Sequence, residues 1–148
     1  MFEHILVPVD GGDLSDKCIE HSIGLAKMLG ASITGFTVEP PLPPLVVEQM
    51  AVPYYVETSK EHQERCEAHA REVLKAFADR AVAAGVPFDG QFMVSDNVQQ
   101  AIVDIAQRQK CDLIVMATHG RHGLDALING SLTKSVLSHS QVPLLVLH

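Results

Sequence analysis

Cys111-Asp112-Leu113-Ile114-Val115-Met116-Ala117 is almost continuously apolar after Asp112, and Thr118-His119-Gly120 follows at once. A strand with one wet face alternates apolar and polar residues. This one does not, so it reads as a strand buried on both faces in the centre of a parallel sheet. Phe2-Glu3-His4-Ile5-Leu6-Val7-Pro8-Val9, closed by Asp10-Gly11-Gly12, reads as a second buried strand ending in a turn.

Helices alternate with such strands along the whole chain. Asp13 can cap a helix that places Leu14, Cys18, Leu25 and Leu29 on one face and stops at Gly30, before a strand from about Ser32 to Val38. Thr58 to Ala84 carries a stripe of Cys66, Val73, Phe77, Ala81 and Ala84. A strand over Phe88 to Val94 leads through the capping cluster Ser95-Asp96-Asn97 into a helix with Val98, Ala101, Ile102 and Ile105. After the central strand, a Gly-rich segment runs to Gly130, a short helix spans about Ser131 to Ser140, and Val142 to Leu147 forms a closing strand. This alternation predicts an α/β fold, a doubly wound, Rossmann-like parallel sheet of five strands with helices on both faces, in one domain over residues 1–148.

Residues 39 to 57 break the pattern with Pro40, Pro41, Pro43, Pro44 and Pro53 beside Tyr54 and Tyr55. Proline at that density forbids a central strand or helix, leaving an exposed loop that is either a plain connection or a lid or partner surface.

The chain has 148 residues with 18 acidic and 11 basic side chains, a net charge of −7, which argues against a general affinity for nucleic acid or anionic membrane. Its eight histidines would bring the sum to +1 if all were protonated. The three cysteines, Cys18, Cys66 and Cys111, are widely spaced within helices and strands, which favours reduced core thiols and a cytoplasmic protein. No basic leader with a long apolar run opens the sequence, and no apolar stretch approaches a membrane span.

In a doubly wound sheet, ligands bind beyond the carboxyl ends of the strands where strand order reverses. Right-handed crossovers grow the first three strands one way and add the fourth on the other side of the first. The expected crevice therefore lies between Pro8-Val9-Asp10-Gly11 and Met116-Ala117-Thr118-His119-Gly120. The second segment opens a Gly-rich constellation, Gly120, Gly123 and Gly130, with Ser131 at an expected helix start. Backbone N–H groups, a helix N-terminus, the hydroxyls of Ser131 and Thr133, and nearby Arg121 and Lys134 together suit a phosphate. Turn glycines and a serine cap would give the same pattern without a ligand. The Walker pattern and a G-x-G-x-x-G after the first strand are both absent.

At these residues the sequence resembles the universal stress proteins, which share a first strand ending Val-Pro-Val-Asp and a fourth strand of the Asp-Leu-Ile-Val-Met type. They also carry a G-2x-G-9x-G-[S/T] nucleotide motif. Here Gly120, nine intervening residues and Gly130-Ser131 match at that spacing, while Ala117 stands at the first glycine. The resemblance spans essentially the whole chain. It implies sheet order 3-2-1-4-5, a homodimer through the last strand, Val142 to Leu147, and binding of ATP, ADP or AMP, with Mg²⁺ or Mn²⁺ as a companion ion.

Carried over residue by residue, the resemblance places adenine and ribose near Pro8, Val9, Asp10 and Thr37, with Met116 and Ala117 opposite. Phosphates would meet Gly120, Arg121, Gly130, Ser131, Leu132 and Thr133. Asp10 could hold adenine or ribose, meet a phosphate-bridged cation, or simply form the turn before Gly11. The expected role is binding that biases conformation or an unidentified protein partner in a stress response. A slow ATP hydrolase or self-phosphorylating enzyme using Ser131 or Thr133 ranks lower, because no general base with an orienting partner is evident. A nucleotide-free interaction module is the third reading.

His62, Cys66 and His69 recur at i, i+4 and i+7, a spacing open to zinc, but Cys66 belongs to the apolar stripe and the flanking histidines read as solvated. His119 and His122 either contact phosphate when protonated or are simply exposed. If they serve the site, calorimetry will show an anionic ligand binding more tightly as pH falls from about 8 to about 6, through the ordinary histidine range; a flat affinity removes them from it.

Overall fold

The computed structural model describes residues 1–44, 56–117 and 126–148, without the side chains of 13, 14 and 126–130. In chain order the elements are β1 (His4–Pro8), α1 (Asp13–Leu29), β2 (Ser32–Glu39), α2 (Ser59–Ala83), β3 (Phe88–Val94), α3 (Val98–Arg108), β4 (Leu113–Ala117), α4 (Ala126–His139) and β5 (Leu144–Leu147). The five strands are all parallel in the order β3-β2-β1-β4-β5. This is the doubly wound α/β sheet that the alternating pattern predicts.

Two cores follow from the unbroken apolar runs. Ile5, Val7, Leu113 and Val115 point to the face covered by α1 and α2, where they meet Cys18, Ile19, Ala26, Leu74, Phe77 and Ala81. Leu6, Ile114 and Met116 point to the other face, against Ala101, Ile102 and Ile105 of α3 and Val136 of α4. Successive strand residues face opposite ways, so a strand covered on both faces is favoured to be apolar at consecutive positions, as β1 is over Ile5, Leu6 and Val7 and β4 over Leu113 to Met116.

The β1–β4 register aligns Ile5 with Leu113 and Leu6 with Ile114. Beyond the amino end of that pairing, the Asp112 carboxylate accepts the Glu3 and His4 N–H groups at 2.7 and 3.0 Å, and the Asp112 N–H donates to the His4 carbonyl at 2.9 Å. One side chain thus ties the start of β4 to the start of β1. On the other flank, a Cβ on Gly35 of β2 would stand 2.6 Å from the tip of the Phe88 ring, which packs 4.8 Å from the Phe77 ring. Only glycine lets that aromatic pair lie across the sheet.

Local expectations hold in most places and fail in four. Thr58 and Glu61 form a reciprocal capping box on α2, Asn97 caps α3, and Gly30 ends α1 in the left-handed conformation. Gly12, rather than Asp13, occupies the N-cap of α1, with no side-chain cap bond. The buried face of α1 is Cys18, Ile19, Ser22 and Ala26, while Leu29 is exposed beside the C-terminal stop. On α2 the buried set is His62, Cys66, Ala70, Leu74, Phe77 and Ala81, with Val73 and Ala84 at its margin. Finally, α4 starts at Ala126, so Gly130 and Ser131 stand inside the helix rather than at its start. The run Ala126-Leu127-Ile128 favours continuation of the helix toward the N-terminus.

Asp112→Ala removes two long-range acceptor bonds and is expected to lower the free energy of unfolding by about 1–3 kcal/mol in urea titration. Asp79→Ala, which breaks an exposed Lys75 pair, should change it by less than about 1 kcal/mol. Gly35→Ala should cost about 1–3 kcal/mol through the displaced Phe88 ring.

Candidate functional site

Because all five strands are parallel, their carboxyl ends lie on one side of the sheet, and α1 and α4, the helices that follow β1 and β4, lie on opposite faces. A cavity of about 300 Å³ opens there, lined by Pro8, Val9, Asp10, Ser15, Cys18, Phe36, Thr37, Val38, Val98, Ile102, Met116, Ala117 and Leu132. It lies at the reversal point of strand order, where ligands of this architecture bind. Its walls are mostly aliphatic and aromatic, and Asp10 is the only ionisable carboxylate in the described lining.

The turn after β1 shapes the polar end. The Val9 N–H donates to the Phe36 carbonyl at 2.8 Å and carries the β1–β2 pairing one residue past β1. Gly11 then takes a φ of 82°, a conformation that side chains other than glycine resist. The chain turns into α1 and leaves Asp10 exposed at the cavity edge, where its Oδ1 accepts from the Gly12 N–H at 2.9 Å and the Ser15 hydroxyl at 3.0 Å. Deeper in, the buried Cys18 thiol approaches the Val115 carbonyl at 3.9 Å. Burial raises its pKa above the ordinary thiol value, against smaller opposing effects from Ser22 and the Ala117 backbone. It therefore faces the cavity as a neutral thiol. Such an arrangement can hold a flat, mainly apolar group that presents a hydrogen-bond donor to a carboxylate; it carries no poised nucleophile among the described residues.

The whole chain, residues 1–148, matches the model of the universal stress protein family. The chain belongs to the universal stress protein family. A universal stress protein of Methanocaldococcus jannaschii is 30% identical over 147 residues, covering 99% of this chain and 82% of that one. Among solved structures, a universal stress protein in complex with cAMP superposes with a TM-score of 0.70 at 22% identity, covering 99% of this chain and 97% of that one. One from Archaeoglobus fulgidus in complex with dAMP gives 0.65 at 16% identity, with 99% and 98% covered.

Of the residues singled out from this family's motif, Pro8, Val9, Asp10, Thr37, Met116, Ala117 and Leu132 come together around the one cavity. Gly120 and Arg121 lie outside the described residues, as do His119 and His122. Gly130 falls within α4. Ser131 is exposed and Thr133 buried on the same helix, and neither joins the described lining. The lining also contains Ser15, Cys18, Phe36, Val38, Val98 and Ile102, which motif spacing does not reveal. Val98 and Ile102 were legible only as a helical i, i+4 pair.

The His62, Cys66 and His69 face differs from expectation, because His62 is buried. Its Nε2 lies 3.0 Å from the Pro40 carbonyl oxygen and 3.4 Å from the Cys66 sulfur, and its Nδ1 lies 3.0 Å from Arg65 and 3.3 Å from Glu57. These contacts satisfy the ring that the helical pattern places inside. His69, half exposed, pairs with buried Glu39 at 2.7 Å. Among the described residues no group of three or more histidines, cysteines and carboxylates could hold a metal ion.

All three cysteines are free and buried, and burial raises each thiol, Cys111 to about 11 with a further contribution from the Asp112 charge. Ellman's reagent at about pH 8 should therefore react with the folded protein far more slowly than with a free thiol, and with all three cysteines in guanidinium. Fast reaction of one thiol in the folded state would contradict this burial.

Proposed function

We propose that this protein is one nucleotide-binding domain over residues 1–148 that takes an adenine nucleotide, ATP, ADP or AMP, in the cavity between the ends of β1, β2 and β4. The observation that carries the reading is the convergence of Pro8, Val9, Asp10, Thr37, Met116, Ala117 and Leu132 on one cavity with apolar walls and a single carboxylate. Apolar walls suit the faces of a purine, and Asp10 suits a donor on the base or sugar. The relatives in complex with cAMP and with dAMP support the same ligand class.

Phosphates would extend past Ala117 toward Gly120, Arg121, Gly130, Ser131 and Thr133. With α4 already helical at Ala126, the unbonded helix N–H groups precede Gly130, so the anion would sit nearer the helix start than the motif spacing alone suggests. Asp10 alone is too few protein ligands for a resident cation; Mg²⁺ or Mn²⁺ would enter bridged by phosphates and keep several waters. The bound nucleotide would act by biasing conformation or a protein partner in a stress response.

A homodimer through β5 belongs to the same proposal. This strand is an outer edge of the sheet, carries no charge from Val142 to Leu147, and leaves Leu145 exposed, a combination that pairing with a second copy would cover. Buried free thiols favour a reducing compartment, the cytoplasm, and among the described residues no helix is long and apolar enough to cross a membrane.

Isothermal titration with ATP, ADP and AMP in the presence of Mg²⁺ is expected to give saturable binding at millimolar concentration or below. Asp10→Ala should weaken it by about tenfold or more, the effect of losing a charged acceptor, and Ala117→Leu should abolish it by filling the cavity. No heat with any of the three nucleotides overturns the proposal.

A further inference from the structure

We propose that Ser15 is a positioning residue for this site. It acts on the ligand only through Asp10, holding the Asp10 carboxylate so that one oxygen is kept for the ligand. The inference rests on the nucleotide-site reading above and adds a specific device to it.

Ser15 lies in the first turn of α1, where its N–H donates to the Gly12 carbonyl at 2.9 Å. Its hydroxyl donates to Asp10 Oδ1 at 3.0 Å, and the Asp10 N–H points back at the Ser15 oxygen at 3.4 Å. One hydroxyl thus engages both the backbone and the side chain of the same aspartate. The Gly12 N–H reaches Oδ1 as well, at 2.9 Å. With two donors on Oδ1, Oδ2 has no partner among the described residues. An exposed aspartate without these contacts would be free to exchange between staggered rotamers.

Gly12, which donates to the same oxygen, bears on this arrangement too. Its φ of −81° and ψ of 170° are ordinary extended backbone, so its conformation does not call for glycine. A Cβ there would stand 3.2 Å from Asp10 Oδ1, so the carboxylate would have to give by a few tenths of an ångström. Both the hydroxyl at 15 and the missing side chain at 12 serve one arrangement of the carboxylate. Cys18, further along α1, also lines the cavity, so the helix that carries Ser15 is part of the cavity wall. A carboxylate already fixed toward the ligand loses less rotamer freedom when the ligand arrives.

Two measurements test this. In the ligand-free protein, three-bond NMR couplings of Asp10 should report one χ1 rotamer in the native chain and in Ser15→Thr, and averaging in Ser15→Ala; Gly12→Ala should shift the Asp10 signals without touching Ser15. With AMP as the probe, Ser15→Ala should weaken binding about three- to tenfold, Ser15→Thr should restore it, and Ser15→Ala should have no further effect in an Asp10→Ala background. Averaging of Asp10 in the native chain overturns the inference. So does an equal loss from Ser15→Ala with and without Asp10, which would mean that Ser15 touches the ligand or merely supports the helix. The couplings need no ligand, so they decide the inference even if AMP fails to bind, an outcome that removes the nucleotide reading instead.

Discussion

The side-by-side parallel pairing of β1 and β4, each buried on both faces, is the constraint on which the rest of the structure depends. Ile5, Leu6, Ile114 and Val115 are all essentially inaccessible to solvent. A pair of strands with no wet face must have helices above and below, and that requirement sends α1 and α2 to one face and α3 and α4 to the other. Asp112 secures the amino end of the junction with backbone hydrogen bonds. At the carboxyl end the helices that follow these strands, α1 and α4, lie on opposite faces of the sheet. Rigidity at one end and divergence at the other give a pre-formed cavity on a stable frame.

The same geometry sorts the chemistry of the cavity. Strand ends contribute Val9, Phe36, Val38 and Met116, whose side chains extend the two cores to the cavity wall. Polar groups are few, Asp10 in the turn after β1, Ser15 in the first turn of α1 and Thr37 on β2. A site made in this way recognises a mostly apolar ring system with a few directed hydrogen bonds.

The fold was legible from residue patterns because two-face burial leaves an unmistakable trace, unbroken apolar strands separated by helices with capping residues such as Thr58 and Asn97. Seven of the cavity residues were legible because they sit at strand ends or within a spaced motif. Ser15, Phe36 and Val38 were not, since they reach the cavity through tertiary placement that no local pattern encodes. The extent of α4 is not legible for a related reason. Gly130-Ser131 has the composition of a helix start, yet the preceding Ala126-Leu127-Ile128 continues the helix. The burial of His62 is not legible because histidine on a helix is usually solvated, whereas here the Pro40 carbonyl, Arg65 and Glu57 satisfy the ring inside.

A crystal structure of the protein grown with AMP decides whether the cavity at the β1–β4 reversal is the nucleotide site. Density for the adenosine moiety is expected between Val9 and Met116, with a base or ribose donor within hydrogen-bond distance of Asp10 Oδ2. Nucleotide density elsewhere on the molecule, with this cavity empty, would contradict it.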